Sequence, residues 1–403
     1  MKNIELLAPA GDFEKLKTAL YFGADAVYAG GRNLSLRAFT GFSDEEMERA
    51  VRYTHERGKK LYAAVNILAR NADLGAAGAY FEFLQAVGAD AAIVSDVGLL
   101  SLAKRRAPRL ALHVSTQANA LNAESVKVYA GLGASRVILA RELSVKEIAE
   151  IAAAAPRTEL EVFVHGAMCV SYSGRCLMSN YLAGRDSNRG ECAQPCRWRY
   201  EVREAGTDGA FYPVEEDGRG TYLFNSKDLN MIDHLPELAE SGACSFKIEG
   251  RMKSAYYIAT VVNAYRRALD AYAKEGAAYR GNRLFSEELN KAAHREYTTA
   301  YLLGENAETE SRSLSQVAGE RTFAAVVLSY DEKTGRALVE MRNRFCRGDT
   351  LEVLSPAEEH NALIRAEGMT DENGLPVEDA KLVQQKLYLP SPVKLRAGDI
   401  LRK

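Results

Sequence analysis

Residues 110–140 read LALHVSTQANALNAESVKVYAGLGASRVILA and hold the pattern on which the fold turns. LALHVST (110–116) is an apolar, β-branched run that predicts a strand. AESVKVYAGLG (123–133) predicts a helix closed by glycine, and RVILA (136–140) predicts a second strand. Strand, helix, strand at this spacing joins parallel neighbours, because parallel strands need a crossover rather than a hairpin. The same rhythm runs outward in both directions. Strands are predicted at IELLAP (4–9), AVYAG (26–30), LYAAVN (61–66), AAIVSD (91–96) and LEVFVHG (160–166), separated by helices such as DEEMERAVRYTHERG (44–58) and SVKEIAEIAAAA (144–155). Several of these helices open on Ser or Asp and close on Gly, residues that satisfy the loose amides and carbonyls of helix ends. SFKIEG (245–250), followed by SAYYIATVVNAYRRALDAYAKEG (254–276), supplies an eighth unit. The expected fold is therefore α/β, a (β/α)8 TIM-barrel-like domain. An open doubly wound sheet is the alternative, but the glycine-rich phosphate turn of such sheets is missing.

Between strands seven and eight the rhythm breaks for about 80 residues, long enough to mark a functional insertion. A hairpin is expected there from RYEVREAG and FYPVEED. Residues 1–275 are read as the barrel with a cysteine-rich insertion at 165–220, residues 276–320 as a connecting segment, and 321–403 as a small β-barrel domain. The last begins with a hairpin turning at DEKTG.

The chain has 403 residues, 47% of them hydrophobic and 26% charged, with a net charge of −2, which fits an ordinary globular protein and excludes no partner by charge alone. The N-terminal stretch MKNIELLAPAGDFEKL lacks the apolar core of a secretory signal, and no apolar run approaches the roughly 20 residues that span a bilayer. A cytoplasmic location with no membrane partner is expected. In a reducing compartment, clustered cysteines bind metal or do redox chemistry more often than they form structural disulfides.

Four of the six cysteines fall in HGAMCVSYSGRCLMSNYLAGRDSNRGECAQPCRW (165–198), at C-x6-C-x15-C-x3-C spacing through Cys169, Cys176, Cys192 and Cys196. Four thiolates suit a [4Fe–4S] cluster or a tetrahedral zinc ion. Zinc knuckles pair their cysteines two to four residues apart, and only the second pair here is that close, so an iron–sulfur cluster is preferred over zinc, buried thiols or a redox pair. Cys244 and Cys346 stand alone and read as packing residues.

EVFVHGAMCVSYSGRCLMSNYLAGRDSNRGECAQPCRW, together with NSKDL, SFKIEGRMKS and the opening ELLAPAGD and GADAVYAGG, resembles peptidase family U32, the collagenase-like proteases. SFKIEGRMKSAYYIATVVNAYR is most similar to its tRNA-hydroxylating branch. The resemblance implies an iron–sulfur cluster held by four cysteines, with Cys169, Cys176 and Cys192 on ligand positions. Some members place the fourth just after NSKDL, where this chain has Asn230, and others use the C-x3-C partner, here Cys196; Cys196 is taken. It further implies an enzyme that converts the wobble uridine of a tRNA anticodon loop to 5-hydroxyuridine with prephenate as hydroxyl source, and dependence on iron–sulfur assembly machinery. A peptidase, or a non-catalytic iron–sulfur accessory protein, are the alternatives.

Barrel active sites lie at the C-terminal ends of the strands. His165, Gln117, Asn119, Lys227, Asp228 and Glu249 are the candidate catalytic residues at those ends. His165, four residues before Cys169, is placed to serve a cluster or a substrate beside it. Arg141, Lys247 and Arg251 are candidate binders of a small dicarboxylate donor such as prephenate, since guanidinium forks match carboxylates; pairing with Glu142 and Glu249 is the competing reading. His113 reads equally well as a core histidine and is left out. Arg197 and Trp198, within the arginine- and aromatic-rich run 185–203, are candidate RNA contacts. In the terminal domain Arg342, Arg344, Arg347, Lys394, Arg396, Arg402 and Lys403 offer further phosphate contacts. No H-E-x-x-H or G-x-S-x-G motif supports proteolysis.

Overall fold

The computed structural model describes residues 4–32, 34–35, 41–169, 171–173, 175–198, 216–217, 220–221, 226–304 and 317–403. Eight parallel strands form the first layer: β1 (Glu5–Ala10), β2 (Ala26–Gly30), β3 (Lys60–Val65), β4 (Ala91–Val94), β5 (Ala111–Val114), β6 (Arg136–Ile138), β7 (Glu159–Ala167) and β8 (Ser245–Ile248). They follow one another in order, and β8 pairs with both β1 and β7, which closes the barrel. The strands are almost wholly buried, as expected when helices cover a parallel sheet.

The helices are fixed at their ends by side chains. Asp12 accepts the Lys15 amide at 2.9 Å to start the helix Phe13–Tyr21, and Ser43 with Glu46 forms a reciprocal cap on Asp44–His55. Ser254 caps the long helix Ala255–Glu275, whose Tyr265 hydroxyl reaches inward to the Val164 carbonyl at 2.8 Å. That bond ties the last helix to the strand that leads into the cysteines. Among the described residues no helix is long and apolar enough to cross a membrane.

Beyond the barrel rim, β7 is joined by a short antiparallel strand, Asp228–Asn230, with Asn230 opposite His165, and this in turn pairs with Tyr297–Thr298. The segment 276–320 is thus more than a connector. It holds the helix Arg283–Asn290, and Leu289, Ala292, Ala300 and Leu302 are buried in the barrel's own core. The helical spacing of Phe285, Leu289 and Ala292 is its signal in the sequence, too short to stand out from a connector. The hairpin expected around 199–217 lies largely outside the described residues; Glu216–Asp217 pairs antiparallel with Gly220–Thr221.

From Phe323 onward a six-stranded antiparallel sheet runs in the order Leu363–Arg365, Thr350–Leu354, Ile400–Arg402, Phe323–Asp331, Arg336–Met341, Lys386–Pro390. The two outer strands do not pair, so this is a half-barrel sheet rather than the closed barrel that the strand count suggests. The gap is bridged by the small ladder of Phe345–Cys346 with Asp379–Ala380 and by Thr370, which bridges to Pro376 and Tyr388. The domain has its own core and docks on the barrel through Arg402, which is 2% exposed and pairs with Glu288 and Glu352, and through Tyr21, whose hydroxyl donates to Asp399 at 2.8 Å.

Candidate active site

A cavity of about 190 Å³ opens at the C-terminal ends of the strands. Tyr28, Ile93, Phe163 and Lys247 line it from the barrel side, and Cys169, Cys176, Cys192 and Cys196 line it from the insertion. All four clustered cysteines therefore face one space.

Beneath the cavity, charge is compensated within the barrel. Lys247 Nζ contacts Glu161 Oε1 at 2.8 Å, Glu161 contacts Arg136 at 3.1 Å, and Arg136 reaches Glu5 at 2.5 Å and Glu159 at 2.8 Å. Tyr62 and Ser245 donate to Glu5 at 2.6 and 2.9 Å. Burial opposes the charge on Glu5, yet the Arg136 hydrogen bond and charge hold its carboxyl below the ordinary value. Burial also pulls the Lys247 ammonium below the usual lysine value, against the pull of Glu161. Removing one member of such a chain strands a buried charge, which costs about 3–5 kcal/mol. The Lys247 charge is already answered by Glu161.

Arg141 differs. Its Nη1 donates to the Ala167 carbonyl at 2.8 Å and Nη2 to Ser173 Oγ at 3.1 Å, both neutral acceptors. Its Nε is buried with no acceptor, and no carboxylate pairs with it among the described residues. It is a cation on the cavity wall, 5.4 Å from the Phe163 ring centroid. Neighbouring Glu142 does not ion-pair with it, and burial raises the Glu142 carboxyl above its usual value. Gln117 also lines the cavity, with its buried Oε1 unpartnered. Glu249 and Arg251 complete the wall: the Tyr28 hydroxyl stands 3.4 Å from Glu249 Oε2, and Arg251 Nη1 donates to Ser35 Oγ at 3.4 Å.

Four of the six catalytic candidates, His165, Asn119, Lys227 and Asp228, do not line the cavity, and neither does the binding candidate Trp198. Strand alternation puts His165 on the same face as Glu161 and Phe163, towards the barrel interior. A register shift between Lys247 and Ile248, opposite Phe163 and His165, re-aims it. His165 lies buried among Tyr257, Tyr265 and Tyr297, with centroids 6.0, 5.4 and 5.5 Å away, and burial lowers its pKa to about 3, so it is neutral. Lys227 pairs with Glu296 at 3.6 Å, and buried Asp228 accepts the Arg295 amide at 3.2 Å and lies 3.7 Å from Arg295 Nε. Neither lines the cavity. Trp198 is 41% exposed on the surface beside the cysteines, and the Arg197 side chain lies outside the described residues.

Asn119 acts on the cysteine loop. In a left-handed conformation (φ 53°), it donates to the Ser173 carbonyl at 2.9 Å and accepts from Arg175 Nε at 2.8 Å. Ser187 Oγ and Asn188 Nδ2 both donate to the Cys176 carbonyl, at 2.8 and 3.2 Å. Arg189 clamps Asp73 with two bonds of 2.7 and 2.9 Å. The Gln194 amide donates to Cys192 Sγ at 3.4 Å, a bond that Gln194 makes from a left-handed conformation uncommon outside glycine. The insertion is pinned to the barrel at several points.

Four cysteines lining one cavity are a donor set of the kind that a [4Fe–4S] cluster or a zinc ion takes. Around a single zinc, with bonds of about 2.3 Å, sulfurs crowd to about 3.8 Å from one another. No group of three or more His, Cys, Asp or Glu side chains suited to one metal ion exists among the described residues. A four-iron cube carries its thiolates on outer corners, so its ligands stand farther apart, and an amide donating to sulfur is among the bonds that tune such clusters. Asn230 turns away: its Oδ1 accepts from the Tyr265 hydroxyl at 3.2 Å and the Ile232 amide at 3.1 Å.

The cations singled out in the terminal domain are ion-paired within the protein, several of them at the exposed surface. Every one of its seven singled-out cations has a carboxylate partner: Arg342 with Glu14 and Glu340, Arg344 with Asp379, Arg347 with Glu367 and Glu378, Lys394 with Glu332, Arg396 with Glu359, Arg402 with Glu288 and Glu352, Lys403 with Asp349. Sequence reasoning missed the Glu161–Arg136 chain, the Asp73–Arg189 clamp and His294–Tyr297. Charges inside the strand runs RVILA and LEVFVHG were the available signal for the first.

A family model described as Peptidase family U32 matches residues 11–312, and one described as Peptidase family U32 C-terminal domain matches residues 320–402. The chain belongs to peptidase family U32. The relatives it resembles are named for tRNA hydroxylation, for rRNA 5-hydroxycytidine synthesis, and as proteases. The chain is 38% identical to tRNA hydroxylation protein P1 of Bacillus subtilis, covering 100% of this chain and 95% of that protein. It is 35% identical to tRNA hydroxylation protein P of Escherichia coli, covering 97% and 94%. It is 37% identical to an uncharacterized protease of Methanocaldococcus jannaschii, covering 88% and 87%.

Proposed function

We propose that this U32 chain is an iron–sulfur enzyme of tRNA hydroxylation, which converts the wobble uridine to 5-hydroxyuridine with prephenate as oxygen donor. The observation that carries the reading is the convergence of Cys169, Cys176, Cys192 and Cys196 on the cavity that also holds Arg141. Full-length similarity to two proteins named for tRNA hydroxylation supports the substrate class.

Cys169, Cys176, Cys192 and Cys196 would hold the cluster. When bound, a [4Fe–4S] cluster supplies redox or Lewis-acid chemistry at the cavity mouth. Arg141, with three donors beyond those given to Ala167 and Ser173, takes a donor carboxylate. Gln117 Oε1 accepts from a substrate N–H or hydroxyl. Glu249, the carboxylate on the wall, is placed to exchange a proton with a bound substrate. The base must leave its stack to reach this depth, as in an anticodon loop. A histidine-activated nucleophile is disfavoured: no histidine lines the cavity among the described residues, and burial drives His113 well below the ordinary histidine pKa.

The test is incubation of anaerobically purified protein with unmodified tRNA, with and without prephenate, followed by mass spectrometry of the nucleosides. The account expects 5-hydroxyuridine only with prephenate and none from Cys176→Ala. Cluster-loaded protein that leaves tRNA unchanged contradicts it.

A further inference from the structure

We propose that the outward face of the cysteine insertion is a stacking platform for unpaired bases of an RNA loop, formed by Leu177, Tyr181 and Trp198 and flanked by Arg175 and Arg185. The inference rests on the tRNA hydroxylase reading and adds the surface that presents the loop to the cavity.

Single exposed apolar side chains need no explanation, but a cluster of them does. Tyr181 is 89% exposed, Leu177 70% and Trp198 41%. Leu177 and Tyr181 lie one helical turn apart, since the Tyr181 amide donates to the Leu177 carbonyl at 2.9 Å, so they share a face. The turn Pro195–Arg197 packs against this helix, Met178–Ala183, and brings Trp198 beside it. These side chains are displayed by a braced frame. The Ala193 amide donates to Ser179 Oγ at 3.0 Å, Leu68 and Asn188 are bonded through their backbones at 3.2 Å, and Arg189 grips Asp73. A rigid aromatic surface loses little entropy on binding.

Charge selects the partner. Residues 171–198 contain four arginines, Arg175, Arg185, Arg189 and Arg197, against two acidic residues, Asp186 and Glu191, in a chain with 54 acidic and 52 basic side chains. Arg175 is exposed, donates to the neutral Asn119, and pairs with no carboxylate among the described residues. Aromatic faces interleaved with arginine suit single-stranded RNA, whose bases stack while phosphates meet guanidinium groups. Position selects the loop: Cys176, between Arg175 and Leu177, lines the cavity. A base stacked on Leu177 and Tyr181 leaves its neighbour at the cavity mouth.

The experiment measures binding and hydroxylation of an anticodon stem-loop RNA by cluster-loaded, full-length wild type, Tyr181→Ala, Leu177→Ala and Tyr181→Phe. The platform predicts a Kd and KM raised about 10-fold in Tyr181→Ala, given what one base stack contributes, with kcat, cluster absorption and Tm held and binding restored by Tyr181→Phe. Leu177→Ala weakens binding in the same direction. Wild type that binds and modifies the RNA while both alanine variants do so equally overturns the platform alone. So does a wild-type dimer that Tyr181→Ala converts to monomer with RNA binding unchanged, because the face then serves a second copy. Wild type that fails to bind the stem-loop overturns the hydroxylase reading along with the platform.

Discussion

Arg141 and Lys247 carry the same charge into one cavity and meet different fates there. Lys247 is answered by Glu161 at 2.8 Å, while Arg141 gives its bonds to a carbonyl and a hydroxyl. Sequence alone does not separate them, because Glu161 lies 86 positions from Lys247. The four cysteines were legible because they crowd one loop; the direction of His165 was not, because an irregular register between its own strand and the adjoining β8 sets it. The insertion's brace is testable at one residue. The Arg189 hydrogen bond, aided by the Arg70 amide, holds the Asp73 carboxyl down at about 2. Asp73→Ala is expected to weaken the anchoring of residues 175–198 by about 1–3 kcal/mol, the usual worth of a charged hydrogen bond. Limited proteolysis should show faster cleavage in that segment with little change in the barrel's Tm; unchanged cleavage would show that the clamp is idle.

Among the elements, β7 governs the site, since it runs from the barrel core past the rim and delivers Cys169. Its eight-strand context was readable from apolar runs separated by capped helices, and predicted strands overlap observed ones throughout the barrel. The short strand Asp228–Asn230 was not, because three residues carry no period. Gly166 lets β7 pass close to β8's end: it has φ +105°, and a Cβ there would lie 2.5 Å from the Glu249 carbonyl oxygen. Gly166→Ala combines backbone strain with that clash and is expected to cost at least about 1–3 kcal/mol in denaturant unfolding, with lower cluster retention. Wild-type stability in that variant would mean that the crossing is loose.

At the scale of the whole molecule, the terminal half-barrel is held to the barrel by charge. Burial works against ionisation of Glu352, but hydrogen bonds from Lys291 and Arg402 outweigh it and hold the carboxyl down at about 2. Because its folded pKa lies below the ordinary 4.5, the stabilisation is present above that value and is lost as pH falls towards 2. The loss is expected to reach up to about 3 kcal/mol. Thermal unfolding from pH 6 to pH 2 should show this loss in wild type and less of it in Glu352→Gln, and identical profiles would contradict it. The domain's cations looked free in sequence because their partners are remote; Arg402 and Glu288 are 114 positions apart.

The central claim is that four thiolates around one cavity hold a single iron–sulfur centre. Its most direct measurement is iron and acid-labile sulfide per chain, read with the absorption spectrum, in anaerobically purified wild type and in Cys196→Ala. The account predicts about four of each per wild-type chain with absorption near 400 nm, and substantial loss of both in the variant. Folded, colourless wild type containing zinc or no metal, or a variant with undiminished iron, would contradict it.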